Sequence, residues 1–335
     1  MTFDTLRQGG PAHWGVMLAR GWKGELAETG RSDSWLVARD WARRAEHLGF
    51  DGVWVFDHFQ PYPVRDDSPV LEAWTTVAAL SQATERIAIG TLVSCAAYRP
   101  PSVTVKMAEN LHILSGGRFC LGLGAGWDRE EFESLSLPFG TAAERSDRLD
   151  TVLRACRAGW RGPGANPHAD AAGEVAGAGD GPLLLVGGEG EKRTLPAAVA
   201  YADAVNWQVG IREFAHKSRV LADLCEAAGR DPGSLRRTHA PNFQLFDSER
   251  EFKRWRQDER RGMSEAEVDT YIRSRGALYG SAAAIEETVE EFIDVGCGGF
   301  MIFCNSAPAL ESLGQFASLR PAQSTIADLG PGIDR

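Results

Sequence analysis

Eight times along this chain a short apolar run of β-type residues precedes a longer stretch of helical spacing, and no other feature restricts the fold as strongly. The apolar runs are WGVML at 14–18, GVWVF at 52–56, RIAIGTLV at 86–93, RFCLGLG at 118–124, PLLLVGG at 182–188, DAVNWQ at 203–208, HAPNFQLF at 239–246 and GGFMIF at 298–303. Helical stretches follow at 34–50, 71–84, 101–115, 142–160, 191–201, 212–229, 282–295 and 308–319. The runs are apolar on both faces, as strands covered by helices must be. A closed (β/α)8 barrel needs roughly 250 residues plus insertions, and this chain has 335. Two doubly wound domains would need a linker that the composition does not show. The expected fold is therefore α/β, a TIM barrel formed as one domain over 1–320.

Two stretches break the alternation. Residues 161–182, RGPGANPHADAAGEVAGAGDGP, are rich in Gly, Ala and Pro and read as a flexible loop after the helix that follows strand four. Residues 247–275 carry eight acidic and eight basic side chains, which favours a solvated helical insert, over 247–280, following strand seven. An insert at that point lies on the mouth side of a barrel. The tail at 321–335 is expected to be loose.

The opening MTFDTLRQGG has no basic segment followed by an apolar one, and eighteen apolar residues never run together, so a cytoplasmic protein without a membrane role is expected. Six cysteines at 95, 120, 156, 225, 297 and 304 contain no CxxC and read as buried thiols. A formal charge of −10 argues against nucleic acid as a partner.

In such a barrel the chemistry gathers where strands end and βα loops begin. Asp57 and His58 follow directly on strand two. His13 and His239 precede strands one and seven, which assigns them to the opposite end, and His47, His112, His168 and His216 fall in helices or the loop. No metal site is therefore expected, because the mouth lacks several imidazoles. Taken alone, Asp57 could cap a turn and His58 could fill a gap. Three further strand ends share that mouth: CAAYRPP after strand three, GAGWDREEFESL after strand four and GGEGEKRTL after strand five. In the last, Gly187, Gly188 and Gly190 leave backbone N–H groups unobstructed where a helix begins, and Lys192 and Thr194 follow, which suits a phosphate. The pattern is neither GxGxxG nor a Walker loop, so the phosphate belongs to some other cofactor.

With these motifs in view, the chain resembles the luciferase-like monooxygenase superfamily, bacterial-luciferase-type barrels that use FMN or the deazaflavin coenzyme F420. The resemblance rests on FDHF at 56–59, TERIAIGTLV at 84–93, YRPPSVTVKMAENLHILSGGRFCLGLGAGWDREEF at 98–132 and PLLLVGGEGEKRTLPAAVAYADAVNW at 182–207. The run DHFQP at 57–61 is most similar to the deazaflavin branch that includes the glucose-6-phosphate dehydrogenases. That implies an F420-dependent oxidoreductase, with an FMN monooxygenase as the alternative and a non-catalytic binding barrel as a third reading. It further implies a small-molecule substrate and a homodimer.

Carried over by position, Asp57 lies against the deazaflavin head group and His58 beside the reacting centre as proton donor or acceptor. Leu92 and Val93 match a bulge with a non-prolyl cis peptide, and Cys95, Ala125 and Gly126 match cofactor-lining positions. Gly187, Gly188, Gly190, Glu191, Lys192 and Thr194 match the phosphate cradle. Where the sugar-phosphate dehydrogenases place a glutamate after GTG this chain has Trp127, and Glu130 and Glu131 come later than that position. Trp127 thus stands where the glutamate that answers the histidine is placed in that branch, and Tyr62 and Trp127, the substrate-pocket residues, suggest a flat or apolar substrate or a pocket simply filled by their rings.

Overall fold

In the computed structural model, which describes residues 4–6, 12–160, 181–258, 264–304 and 310–319, the alternation is realised as a closed ring of parallel strands. The loop at 161–180 with His168 and the tail from 320 onward lie outside the described residues. The strands and helices run β1 His13–Met17, α1 Ser34–His47, β2 Gly52–Val55, α2 Ala73–Ala83, β3 Ala88–Thr91, β4 Ser94–Cys95, α3 Pro101–Leu114, β5 Phe119–Gly124, α4 Arg129–Ser134, α5 Ala142–Trp160 and β6 Leu183–Gly187. They continue α6 Thr194–Tyr201, β7 Ala204–Trp207, α7 Ile211–Ala227, β8 Arg236–His239, β9 Asn242–Leu245, α8 Glu249–Asp258, α9 Glu265–Arg275, β10 Leu278–Gly280, α10 Ala282–Asp294, β11 Gly299–Cys304 and α11 Leu310–Ser318.

The ring order is β1-β2-β3-β5-β6-β7-β8-β11, and β1 closes on β11 with Trp14 opposite Phe300 and Val16 opposite Ile302. Eight parallel strands sheathed by helices make a TIM barrel. Its core has two layers. The outer one, between strands and helices, holds stacked pairs such as Trp14 on Phe300 at 4.9 Å. The inner one is filled toward the lower end by Trp54, whose indole takes the room that three glycines leave. A Cβ at Gly15 or Gly90 would stand 2.3 Å from that ring, and one at Gly52 would stand 2.9 Å from it. His13, the first residue of β1, accepts the Trp54 indole N–H at 3.3 Å and bonds Thr5 at 2.8 Å. Burial pushes its pKa down to about 3, and Arg236 adds to the effect, so it is a neutral structural group below the barrel.

Strand seven differs from the sequence reading. The barrel strand is RRTH at 236–239, and β9 continues it after Ala240 and Pro241, pairing with β11 and β10. A search for apolar runs misses RRTH because its polar groups are satisfied in the wall: Arg236 donates to Gly298 O at 2.8 Å, and Thr238 donates to Val205 O at 2.7 Å. His239 therefore ends a strand instead of preceding one. It faces outward, stacked on Phe292 of α10 at 4.4 Å, with the carbonyls of Trp207 and Gly276 on its two nitrogens. Burial holds its pKa down at about 4.

The insert after β9 consists of α8 and α9, tied by Arg256 to Asp269 at 2.9 Å, and it returns through β10. α9 opens with a capping box between Ser264 and Glu267 and stops at Gly276 in the left-handed conformation. Among the described residues no helix is long and apolar enough to cross a membrane.

Candidate active site

The upper end of β2 delivers Asp57 and His58 into the mouth, and each is held by a separate ionic network. Asp57, 3% exposed, takes a two-pronged grip from Arg99, with Nη1 to Oδ2 at 2.6 Å and Nη2 to Oδ1 at 3.1 Å. Arg99 also donates to Glu72 at 3.0 Å, and Glu72 caps α2 by accepting from the N–H groups of Trp74 and Thr75. Asp57 Oδ2 further accepts the Cys95 N–H at 3.3 Å. One carboxylate thus ties together the β2 end, the start of α3 and the segment after β3. Both of its oxygens are engaged by the Arg99 guanidinium.

Between β3 and β4 the chain bulges through the Leu92–Val93 bond, which is a cis peptide. The Val93 side chain reaches across the top of the barrel into space left by three glycines. A Cβ would meet Val93 at 3.1 Å from Gly122, 2.6 Å from Gly124 and 2.7 Å from Gly187. Gly126, at φ +84°, is similarly required: a Cβ there would lie 2.6 Å from Cys95 Sγ and 2.9 Å from Phe132. Leu92, Val93, Cys95, Ala125, Gly126 and Gly187 are thereby gathered at the ends of three adjacent strands.

His58 is where the structure corrects the expectation most. Its Nδ1–H donates to Glu131 Oε2 at 2.8 Å. The same carboxylate accepts the Tyr98 hydroxyl at 2.6 Å and the backbone N–H groups of Phe59 at 2.7 Å and Gln60 at 3.3 Å. The Glu131 side chain is 1% exposed and that of His58 12%. The strand-four side of the mouth therefore does answer His58 with a glutamate, five residues past Gly126 and not directly after it. Asp128 caps α4 by accepting the Glu131 N–H, and the first turn of that helix swings residue 131 back over the β2 loop. Burial alone would raise the Glu131 pKa, but the hydrogen bond and charge of His58, with Tyr98 and the Phe59 N–H, outweigh it and hold the carboxyl below its usual range. The Tyr98 hydroxyl is pushed far up by burial and by that same carboxylate, so it stays protonated and donates. His58 Nε2 takes no partner among the described residues and is the atom left for chemistry.

Around the imidazole stands an aromatic enclosure. Trp22, from the loop after β1, stacks on His58 at 4.5 Å with planes 6° apart, and also meets Phe56 at 4.4 Å and Tyr62 at 5.7 Å. Phe56 stacks in turn on Phe303 of β11 at 4.6 Å. Trp127 presents its edge to His58 at 5.6 Å and to Tyr62 at 5.4 Å, and remains 55% exposed. Tyr62 and Trp127, singled out from sequence, are thus brought together with Phe56 of the FDHF run, while Trp22 and Phe303 join from the ends of β1 and β11, which the motifs did not flag. Arg20 donates to His58 O at 2.7 Å and to Leu71 O; burial brings its pKa down to about 10, so it stays charged. Arg65 clamps Asp128 through both carboxylate oxygens at 2.7 Å and Glu130 at 2.9 Å. Ligand atoms of His58, Asp128 and Glu131 lie within 4.8 Å of one another, a spacing a metal could bridge; in this structure Arg65 donates to Asp128 and His58 donates to Glu131.

The glycine loop after β6 fits a phosphate. Gly188 lies at φ +138°, and a Cβ on Gly188 or Gly190 would come within 3.2 or 2.9 Å of Thr194. The N–H groups of Thr194 and Leu195 are used by Gly190 O at 3.0 Å, whereas those from Glu189 to Arg193 take no backbone acceptor among the described residues. Glu191 is held by His216 at 3.0 Å and Lys217 at 3.4 Å, and buried Lys217 also binds Glu189 O at 2.9 Å and Glu213 at 2.9 Å. The Glu191 carboxylate thus fastens the loop to α7.

Sequence reasoning missed Arg99, Tyr98, Trp22, Arg65, Lys217 and the role of Glu131. A signal existed for the last: Asp128-x-x-Glu131 is the pattern of a capped helix start, which would have folded residue 131 back toward the mouth.

The fold is a (β/α)8 barrel, and the candidate site stands at the C-terminal ends of its strands. The chain belongs to the luciferase-like monooxygenase family, whose sequence profile matches residues 15–297. It is 38% identical over 122 residues to the F420-dependent hydroxymycolic acid dehydrogenase of Mycobacterium tuberculosis, covering 36% of this chain and 33% of that one. To the F420-dependent glucose-6-phosphate dehydrogenase of Intrasporangium calvum it is 35% identical over 148 residues, 43% of this chain and 42% of that one. The matched part thus spans less than half the length of these two relatives. An F420-dependent secondary alcohol dehydrogenase solved with an F420-acetone adduct superposes with a TM-score of 0.71 at 19% identity, covering 94% of this chain and 99% of that one, which establishes the common fold.

Proposed function

We propose that this protein is a coenzyme F420-dependent oxidoreductase, a reductase or dehydrogenase, acting on a small organic substrate, with His58 moving the proton that accompanies hydride transfer. The observation that carries this reading is the His58–Glu131 couple at the mouth of the barrel, beside a glycine-lined shelf and a glycine anion loop. The F420-dependent relatives supply the choice of carrier. The deazaflavin, when bound, supplies or accepts a hydride at its C5.

The cradle residues fit such a group. Leu92, Val93, Cys95, Ala125 and Gly126 would back its flat ring, with Asp57 acting through Cys95 and Arg99 to hold that shelf. Gly187, Gly188, Gly190, Lys192 and Thr194 would take its phosphate, with Glu191 anchoring the loop. His58 keeps one nitrogen on Glu131 and offers the other to the substrate. In the reducing direction Nε2 gives a proton to the atom that gains negative charge, and in the oxidising direction it removes one from a hydroxyl. Glu131 holds the tautomer and balances the imidazolium, the task of the orienting carboxylate in other acid–base couples.

The proposal extends to a homodimer, supported by exposed Val103 and Leu114 on α3, and to a cytoplasmic location, supported by six cysteines that are all free. Titration of the purified protein with F420, FMN and the nicotinamides in parallel is the deciding experiment. Tight binding of F420 is expected; tight binding of FMN with none of F420 would replace this reading by a flavin monooxygenase.

A further inference from the structure

We infer that the substrate side of this site selects an uncharged, flat or apolar carbonyl compound or its alcohol and rejects phosphorylated and other anionic substrates. This rests on the oxidoreductase reading above and assigns its substrate class. Two independent observations carry it, the walls and the charge balance.

The walls are aromatic on several sides of the reacting histidine. Trp22, Phe56, Tyr62, Trp127 and Phe303 arrive from the ends of β1, β2, β5 and β11 and form one chain of ring contacts with His58 as a member. Such surfaces favour planar and apolar groups through offset and edge contacts. Trp127 is half exposed at the rim, so its ring is open to a ligand.

The charge balance points the same way. A phosphate would need cations that are not already spent. Arg20 is committed to the carbonyls of Leu71 and His58, Arg65 to Asp128 and Glu130, and Arg99 to Asp57 and Glu72. Lys23 lies over the faces of Trp22 at 4.3 Å and Tyr62 at 4.7 Å. With Glu131 added, carboxylates around the His58 end of the mouth outnumber guanidiniums among the described residues. A dianion placed there would have to draw Lys23 off the two rings and would face the carboxylates of Asp57, Asp128, Glu130 and Glu131. The anion loop after β6 does not change this count, since the proposal reserves it for the cofactor.

In the reducing direction the carbonyl carbon gains the hydride from the reduced carrier. The C=O π pair moves onto oxygen, and that oxygen takes the proton from His58 Nε2. The substrate is thereby reduced by two electrons to an alcohol and the carrier is oxidised by two.

A matched pair of probes tests the inference: acetophenone and phenyl phosphate share a ring and differ in charge. Binding of each at the aromatic mouth is measured by ligand-observed NMR on the protein without cofactor, as the part that Trp127→Ala changes, so phenyl phosphate held by the loop after β6 is not counted and the result is readable whichever carrier the protein takes. Acetophenone is expected to bind at least tenfold more tightly than phenyl phosphate. Trp127→Ala, at an exposed position that folding does not depend on, should weaken acetophenone about tenfold, the scale of one lost aromatic contact. Trp127→Arg should lose acetophenone and gain phenyl phosphate. Phenyl phosphate binding the wild type as tightly as acetophenone, or acetophenone indifferent to both Trp127 variants, would overturn the inference. If F420 fails to bind while the probe results hold, the oxidoreductase reading falls and the selectivity stands.

Discussion

Replacing Glu131 by Gln is the sharpest test of how this site is built, because the swap keeps the shape and changes only what the group can accept. In the wild type one oxygen takes the His58 N–H at 2.8 Å and the Tyr98 O–H at 2.6 Å, while the other takes the Phe59 N–H at 2.7 Å. The orientation that keeps the amide oxygen on His58 and Tyr98 turns its NH2 onto the backbone N–H groups and loses that anchor, whereas the reverse keeps the anchor only by making Tyr98 an acceptor and forcing His58 into the other tautomer. Hydrogen bonds to a charged group contribute about 1.5–3 kcal/mol each, and stranding a buried donor costs about 1–3 kcal/mol more. Glu131→Gln should therefore destabilise the fold by about 1.5–3 kcal/mol at pH 7, the scale of a hydrogen bond to a charged acceptor. The sign of the pH dependence follows from the depressed carboxyl. A lowered folded pKa contributes stability that is present above the unfolded value of about 4.3 and is lost as pH falls through the folded value. The gap between wild type and variant should be full at pH 7 and should close below about pH 4. Urea unfolding followed by tryptophan fluorescence across that range reads both features. A variant within about 0.5 kcal/mol of wild type at pH 7, or a gap that persists unchanged at pH 3, would refute the reasoning.

Three further outcomes follow from the same contacts. His58→Ala should lower turnover by ~10²–10⁴ while the F420 dissociation constant stays within a few-fold of wild type, since its free nitrogen serves the substrate; wild-type turnover would remove His58 from the chemistry. Arg99→Leu leaves Asp57 buried without its partner and should cost about 3–5 kcal/mol by thermal unfolding, with Asp57→Asn in the same chain restoring part of the loss. Gly187→Ala forces a methyl to within 2.7 Å of Val93 and should cost about 1–3 kcal/mol, with F420 affinity falling as well. Adding Val93→Ala should relieve the clash in unfolding measurements, and an unrelieved double variant would place the strain elsewhere.

The barrel was legible because its strands announce themselves as apolar runs at regular intervals, and seven of eight lie where those runs are. The seventh escaped because RRTH looks polar until its partners are known. Arg236 finds Gly298 O and Thr238 finds Val205 O only after the ring has closed. Asp57 and His58 were legible as the first polar residues after β2, and the glycine loop as the first after β6. The partner of His58 was legible only through the capped helix start Asp128-x-x-Glu131, because chain distance from GAG to Glu131 says nothing about the turn of α4 that brings them together.

The order of strands and helices, the end of the barrel that carries the site and the residue types available there were set by the sequence alone. Each depends on local periodicity or on position relative to a strand end. Which carboxylate serves which cation was decided only by tertiary structure: Asp57 goes to Arg99, Asp128 to Arg65 and Glu131 to His58. The aromatic enclosure from β1, β2, β5 and β11 was likewise decided there. The reason is geometric: a closed ring makes neighbours of β1 and β11, which stand at opposite ends of the chain, and packs side chains whose pairing no window of sequence contains.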